Sequence, residues 1–176
     1  TSSWSTKLIH GGIRYLENYE FSLVRESLKE REIIYQIAGT ISKPLNFILP
    51  HVPSLRPSWL IRIGLFLYDF LAGSSIFPKS KRLNFFKEKL NFLSKEYQYG
   101  YQYADLQIDD SRLTLLNILD SERYGAEVYN YTKVISVSKI DDIWEINLSN
   151  GKTVFSKILV NATGPMIGSS LKDVFK

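Results

Sequence analysis

Cysteine is absent from the 176 residues, which removes disulfides, thiolate nucleophiles and thiolate metal ligands. Histidine is scarce: His10 and His51 are far apart in sequence and show no metal-ligand spacing, so no metal site is expected. No apolar run reaches the roughly 18 to 20 residues that span a bilayer. The nearest candidate, Trp59 to Ala72, is interrupted by Arg62 and Asp69. Neither sign of charge dominates: 22 Lys+Arg against 18 Asp+Glu leave +4, a mild excess that suits a solvated surface. The basic residues form no stripe interleaved with stacking aromatics, so no nucleic-acid role is expected. What is plentiful is apolar side chain, 44% of residues, enough to build a core.

One segment concentrates polar chemistry. Ser2-Ser3-Trp4-Ser5-Thr6-Lys7-Leu8-Ile9-His10-Gly11-Gly12-Ile13-Arg14-Tyr15-Leu16-Glu17 places hydroxyls, two cations and paired glycines in one loop ahead of an amphipathic helix. Adjacent glycines let backbone approach a flat or charged ligand, and bare N–H groups and hydroxyls can donate to it. The loop reads as a cofactor and anion site.

Helical spacing of Phe21, Val24, Leu28 and Ile34 or Ile37 predicts a helix that begins near Ile13 and continues from Glu20 to Ile37. The proline-bearing stretch from Gly39 to Pro57 should be extended, with a strand at Leu45 to Leu49. A second helix is expected from Pro57 to Leu71, where Trp59, Phe66, Tyr68 and Phe70 could form an aromatic face toward a membrane surface or fill a core. Lys79 to Lys95 reads as surface loop with some helix. From Tyr99 the pattern alternates: a strand at Gly100 to Leu106, a helix capped by Asp109-Asp110, and a strand at Ala126 to Tyr129. Three antiparallel strands should follow at Lys133 to Lys139, Ile143 to Leu148 and Thr153 to Leu159, turned by Asp141-Asp142 and Asn150-Gly151. Trp144, Ile146 and Leu148 should share a buried face. The run from Ile158 to Gly164 reads as a buried parallel strand opening into a ligand crevice.

The loop resembles the flavin-contacting segment of the FAD-dependent, quinone-linked glycerol-3-phosphate dehydrogenases of the D-amino-acid-oxidase-like superfamily. That family's pattern is S-S-x-S-[ST]-K-L-[IL]-H-G-G-[IL]-R-Y-L-E. Leu49-Pro50-His51, Arg56-Pro57-Ser58-Trp59, Ile61-Arg62-Ile63-Gly64-Leu65-Phe66, Asp109-Asp110-Ser111-Arg112-Leu113 and Val160-Asn161-Ala162-Thr163-Gly164-Pro165 are similar to it as well. The family opens with a strand and a G-x-G-x-x-G phosphate loop that do not occur here, so the chain reads as an internal part of a longer enzyme. The implied fold is mixed α/β: a partial FAD-binding Rossmann-like domain with an antiparallel β-meander and a helical insertion, lacking the first βαβ phosphate-loop unit. Within one domain, 1–38 would hold the flavin loop and helix, 39–98 the insertion, and 99–176 the return to the FAD-binding part with the meander.

The resemblance implies oxidation of sn-glycerol 3-phosphate to dihydroxyacetone phosphate, with hydride passing to FAD and electrons onward to quinone. It places Ser3, Ser5, Lys7, Leu8, His10, Val134, Ala162, Thr163 and Gly164 against the cofactor, and Arg14, with Tyr15, against substrate. A guanidinium at a helix start can hold a phosphate bidentately. No general base is assigned. The implied location is cytoplasmic, peripheral on the inner face of the cell membrane, and the isolated chain is expected to be inactive. Two other readings stand beside this one. The enzyme could be a related FAD oxidoreductase acting on another hydroxy acid or amine, or the chain could be a non-catalytic interaction piece. Departures from the pattern are Leu106-Gln107 for Cys-Trp, Met166 for Trp and Gly39-Thr40 for Pro-His.

Overall fold

A computed structural model describes residues 4–52, 54–89, 94, 96–168 and 174. The chain divides into two compact units, Thr1–Ser121 and Glu122–Lys176. In the first, the elements run β1 (Leu8–Ile9), a 3₁₀ turn (Ile13–Asn18), α1 (Phe21–Ile37), β2 (Ser42–Pro50), α2 (Ser58–Ala72), β3 (Lys81–Asn84) and β4 (Tyr99–Ile108), with α3 (Asp110–Arg123) crossing the unit boundary.

Strand β4 organises the first unit, because β1, β2 and β3 all pair with it and all are antiparallel. Nine of its ten residues hold the ladder with β2, from Ser42↔Ile108 to Pro50↔Gly100. Pro44 and Pro50 are tolerated in β2 because that strand pairs on one side only among the described residues, so a missing N–H costs no ladder bond on its open edge. Gly100 is required by close approach: a Cβ there would stand 2.4 Å from the Leu49 carbonyl oxygen and 2.5 Å from Phe85.

Helix α1 turns Val24, Leu28 and Arg31 inward, spaced four and three residues apart. Val24 and Leu28 join Leu16 and Tyr68 in one apolar cluster; Phe77, Ala104 and Leu106 form a second. Phe21 and Ile37, expected on the buried face, are exposed, because the inward stripe is rotated toward Arg31. In α2 the aromatics divide. Trp59, Phe66 and Phe70 are exposed, whereas Tyr68, expected to share their face, is buried with Leu65. No helix among the described residues is long and apolar enough to cross a membrane.

Three further expectations are corrected. The basic stretch at 81–84 is a strand, because β4 offers it a partner. Residues 126–129 are not a strand, and neither is 157–163: Ile158 and Val160 are exposed, and no neighbouring strand among the described residues pairs with them. The second unit does contain the expected meander, β5 (Val134–Ile140), β6 (Ile143–Leu148) and β7 (Thr153–Ser156), in order β5-β6-β7. Its first turn sets Asp141 and Asp142 at φ 47° and 65°, as a tight hairpin demands. Ile146 is buried, while Trp144 and Leu148 are only half-buried.

Gly100→Ala should destabilise the full-length polypeptide by about 1–3 kcal/mol through overpacking against backbone. Gly64→Ala, on α2 with nothing within 4 Å of the new Cβ, should stabilise it by about 0.5–1 kcal/mol. The urea midpoints of the two variants should therefore move in opposite directions.

Candidate functional site

Strand β1 delivers the glycine loop to the sheet. Its ladder pairs Leu8 with Gln107 and Ile9 with Leu106, so the chain leaves the strand over the next β4 residue, Asp105. There the Gly11 N–H donates to the Tyr68 hydroxyl (3.0 Å) and, more weakly, to Asp105 Oδ1 (3.4 Å). The Tyr68 hydroxyl donates to Asp105 Oδ1 at 2.7 Å. Arg31 Nη1 reaches the same oxygen at 2.8 Å and the Ala104 carbonyl at 2.9 Å.

This is a buried ion pair, with Arg31 2% and Asp105 4% exposed. Desolvating both charges is costly, and the cost is offset where geometry and extra hydrogen bonds satisfy them. Here the guanidinium also stacks on Phe77 at 4.0 Å and meets Glu32 at 3.5 Å. Burial, the Asp105 charge and the hydrogen bond to it push the Tyr68 phenol well above the ordinary tyrosine range.

Gly12 follows at φ 67°, in left-handed backbone that glycine adopts without penalty; a Cβ there would also strike the Tyr15 ring at 2.5 Å. The Gly12 N–H donates to His10 Nδ1 at 3.1 Å, and the Gly12 carbonyl accepts from Tyr15 N–H at 2.8 Å to open the 3₁₀ turn. Leu16 pins the far side of that turn in the core. The loop is thus held from beneath while His10, Arg14 and Tyr15 remain exposed above it.

Of the remaining expected residues, Ser5 accepts the Lys7 N–H at 2.9 Å, and its hydroxyl donates to Asp110. Lys7 is exposed at φ 57°, and its carbonyl accepts from Ile108 N–H at 3.0 Å. It lines a cleft of about 380 Å³ with Lys43, Asp109 and Arg112. Leu8 is half-buried in β1. Ser3 lies outside the described residues. Val134, Ala162, Thr163 and Gly164 belong to the second unit, where all four are exposed. Thr163 N–H and its hydroxyl both donate to Asn161 Oδ1, at 3.2 and 2.8 Å, and Gly164 takes φ 61°.

Sequence reasoning missed Arg31, Asp105 and Tyr103. Arg31 continues the Val24–Leu28 stripe, and a cation on an apolar stripe was the available signal. Asp105 is the acid in an otherwise uncharged β4. Tyr103, half-buried, packs edge-on to Tyr68 at 6.3 Å and stacks on Phe47 at 5.3 Å. Burial and Asp105 push its phenol up, while the Arg14 guanidinium opposes them, which puts Arg14 and Tyr103 within electrostatic reach.

The mixed α/β chain thus carries a glycine loop held by buried groups, with exposed donors beside it. The chain belongs to the FAD dependent oxidoreductase family, whose sequence profile matches residues 1–176. More particularly, it is similar to glycerol-3-phosphate dehydrogenases. It is 44% identical over 180 residues to that of Pseudomonas aeruginosa, covering 100% of this chain and 35% of the relative. It is 43% identical to the aerobic glycerol-3-phosphate dehydrogenase of Escherichia coli, over 98% of this chain and 35% of the relative. The D-erythritol 1-phosphate dehydrogenase of Brucella abortus is 39% identical, over 99% of this chain and 36% of the relative. Among solved structures, the glycerol-3-phosphate dehydrogenase of Bacillus halodurans complexed with FAD matches with a TM-score of 0.63 at 26% identity, over 98% of this chain and 28% of that one. The chain therefore spans about a third of the length of the curated relatives it matches.

The raised Tyr68 value carries a pH dependence. Folding favours the neutral phenol, so its contribution is fully present below the unfolded value of about 10 and is lost as pH rises beyond it. The stability advantage of the full-length polypeptide over its Tyr68→Phe variant should narrow between about pH 9 and about pH 11. Thermal melts across that range that keep a constant difference would contradict this.

Proposed function

We propose that the polypeptide containing this chain is an FAD-dependent glycerol-3-phosphate dehydrogenase that forms dihydroxyacetone phosphate and passes electrons to quinone in glycerol and glycerophosphate catabolism. One observation carries the reading: the Gly11–Gly12 loop is fixed by buried groups, and His10, Arg14 and Tyr15 beside it are exposed. The residues fit a flavin dinucleotide. Gly12 leaves left-handed backbone without a side chain, and exposed cations and hydroxyls supply donors for an anionic ligand. FAD, when bound, supplies the hydride acceptor.

The chain's own residues have these proposed roles. Ser3, Ser5, Lys7, Leu8 and His10 line the flavin, Lys7 contributing positive charge in the cationic cleft it shares with Lys43 and Arg112. Arg14 holds the substrate phosphate, with Tyr15 beside it. In the second unit, Val134, Ala162, Thr163 and Gly164 are the proposed cofactor residues. There Thr163 and Gly164 are exposed, and a Cβ at Gly164 would meet nothing within 4 Å. No residue is assigned as general base. The division into 1–38, 39–98 and 99–176 is retained as the proposed organisation, with the isolated chain inactive. The exposed Trp59, Phe66 and Phe70 support peripheral attachment, proposed on the inner face of the cell membrane.

Similarity to the Brucella abortus D-erythritol 1-phosphate dehydrogenase supports a second reading, in which another polyol phosphate is oxidised. Both substrates carry a phosphate monoester, so Arg14 serves either. Anaerobic mixing of the full-length flavoprotein with each substrate discriminates them. Glycerol 3-phosphate should bleach the flavin band faster, and Arg14→Ala should lower kcat/KM by about 10-fold to 100-fold, the loss of a charged hydrogen bond. Bleaching by D-erythritol 1-phosphate alone would favour the second reading. A flavin reduced by neither would overturn both.

A further inference from the structure

We infer that Tyr68 is a positioning residue for the flavin-facing loop: with Asp105 and Arg31 it fixes the Gly11–Gly12 backbone and so presents His10 as an Nε2–H donor. The inference rests on the reading of that loop given under the proposed function.

The chain of hydrogen bonds has a single possible direction. The Asp105 carboxylate, paired with Arg31 at 2.8 Å, accepts and does not donate. Tyr68 has one hydroxyl proton and spends it on Asp105 at 2.7 Å, so its oxygen faces Gly11 with a lone pair. Gly11 N–H fills that lone pair at 3.0 Å. No reversal is open, since the backbone amide cannot accept. Gly11 is also closely packed, since a Cβ there would come within 2.4 Å of Leu28 and 2.6 Å of the Tyr68 oxygen.

The consequence reaches His10 through one peptide. With Gly11 fixed and Gly12 at φ 67° and ψ 50°, the Gly12 N–H points back at His10 Nδ1, 3.1 Å away. A nitrogen that accepts from an amide carries no proton, so the neutral imidazole bears its hydrogen on Nε2. The one lone pair of the ring is therefore already engaged. His10 is equipped to donate to an electron-rich ligand atom and not to take a proton from substrate. Tyr68 acts through Gly11, since its hydroxyl is taken up between the Asp105 carboxylate and the Gly11 amide.

The test uses the full-length, FAD-loaded enzyme and compares Tyr68→Phe with His10→Ala and with Leu65→Val. Leu65 is buried on the same helix and bonds to no part of the loop, so its variant controls for lost packing. Tyr68→Phe should shift the flavin absorbance and reduction potential in the same direction as His10→Ala. It should lower kcat by about 10-fold to 100-fold, the scale of a small misplacement, with KM within about two-fold. Leu65→Val should keep the wild-type spectrum and potential. If His10→Ala moves the flavin signals and Tyr68→Phe does not, the positioning role is overturned while the loop reading stands. If neither moves them, the loop reading falls with it. Should Tyr68→Phe not fold, the ¹⁵N signals of His10 in the wild type decide: a protonated Nε2 with bare Nδ1 supports the inference, and a protonated Nδ1 overturns it.

Discussion

A buried ion pair between Arg31 and Asp105 is the constraint on which the rest of the first unit depends. It joins α1 to β4, and Tyr68 brings α2 to the same carboxylate oxygen. Three elements and the glycine loop thus converge on one side chain. Removing Arg31 alone would leave Asp105 charged in a site closed to water, whereas the intact set satisfies it with the guanidinium, the phenol and the Gly11 amide.

The site owes its character to a contrast between its two surfaces. Beneath Gly11 the groups are buried and mutually bonded, so the backbone has one arrangement. Above it His10, Arg14 and Tyr15 are exposed; the Gly12 N–H fills the lone pair of His10 Nδ1, and among the described residues no hydrogen bond uses the side-chain donors of the three. A rigid floor under exposed donors suits a ligand that must be held at a set height, because the ordering cost of the loop is met by folding before the ligand arrives. Tyr103 feels both Asp105, which raises its phenol, and Arg14, which opposes that rise.

Much of the fold was legible because its signals are local. Helical spacing located Phe21–Ile37, Pro57 and Gly73 bracketed Ser58–Ala72, and Asn150-Gly151 marked the hairpin between β6 and β7. The pair Gly11-Gly12 stood out in the sequence, and at each a Cβ would come within 2.5 Å of a neighbouring side chain. What was not legible depends on partners distant in the chain. The strand at Lys81–Asn84 exists because β4 is beside it, and the apolar run from Ile158 to Val160 stays unpaired because no strand among the described residues is beside it. The Arg31–Asp105 bond spans 74 positions and leaves no local trace beyond a cation on an apolar stripe. Tyr68 was readable in principle: it follows Leu65 by three residues and precedes Ala72 by four, the spacing of the inward face, while Trp59, Ile63, Phe66 and Phe70 share the outward one.

The central claim is that the glycine loop is held by buried groups before any ligand binds. Amide hydrogen exchange on the full-length polypeptide, followed at Gly11 and compared with β4, tests it most directly. The Gly11 amide should exchange as slowly as the β4 amides in the ladder with Asn46–Ile48, since its acceptors, Tyr68 and Asp105, are sealed from water. Exchange at Gly11 as fast as at exposed loop amides, with β4 still protected, would contradict it.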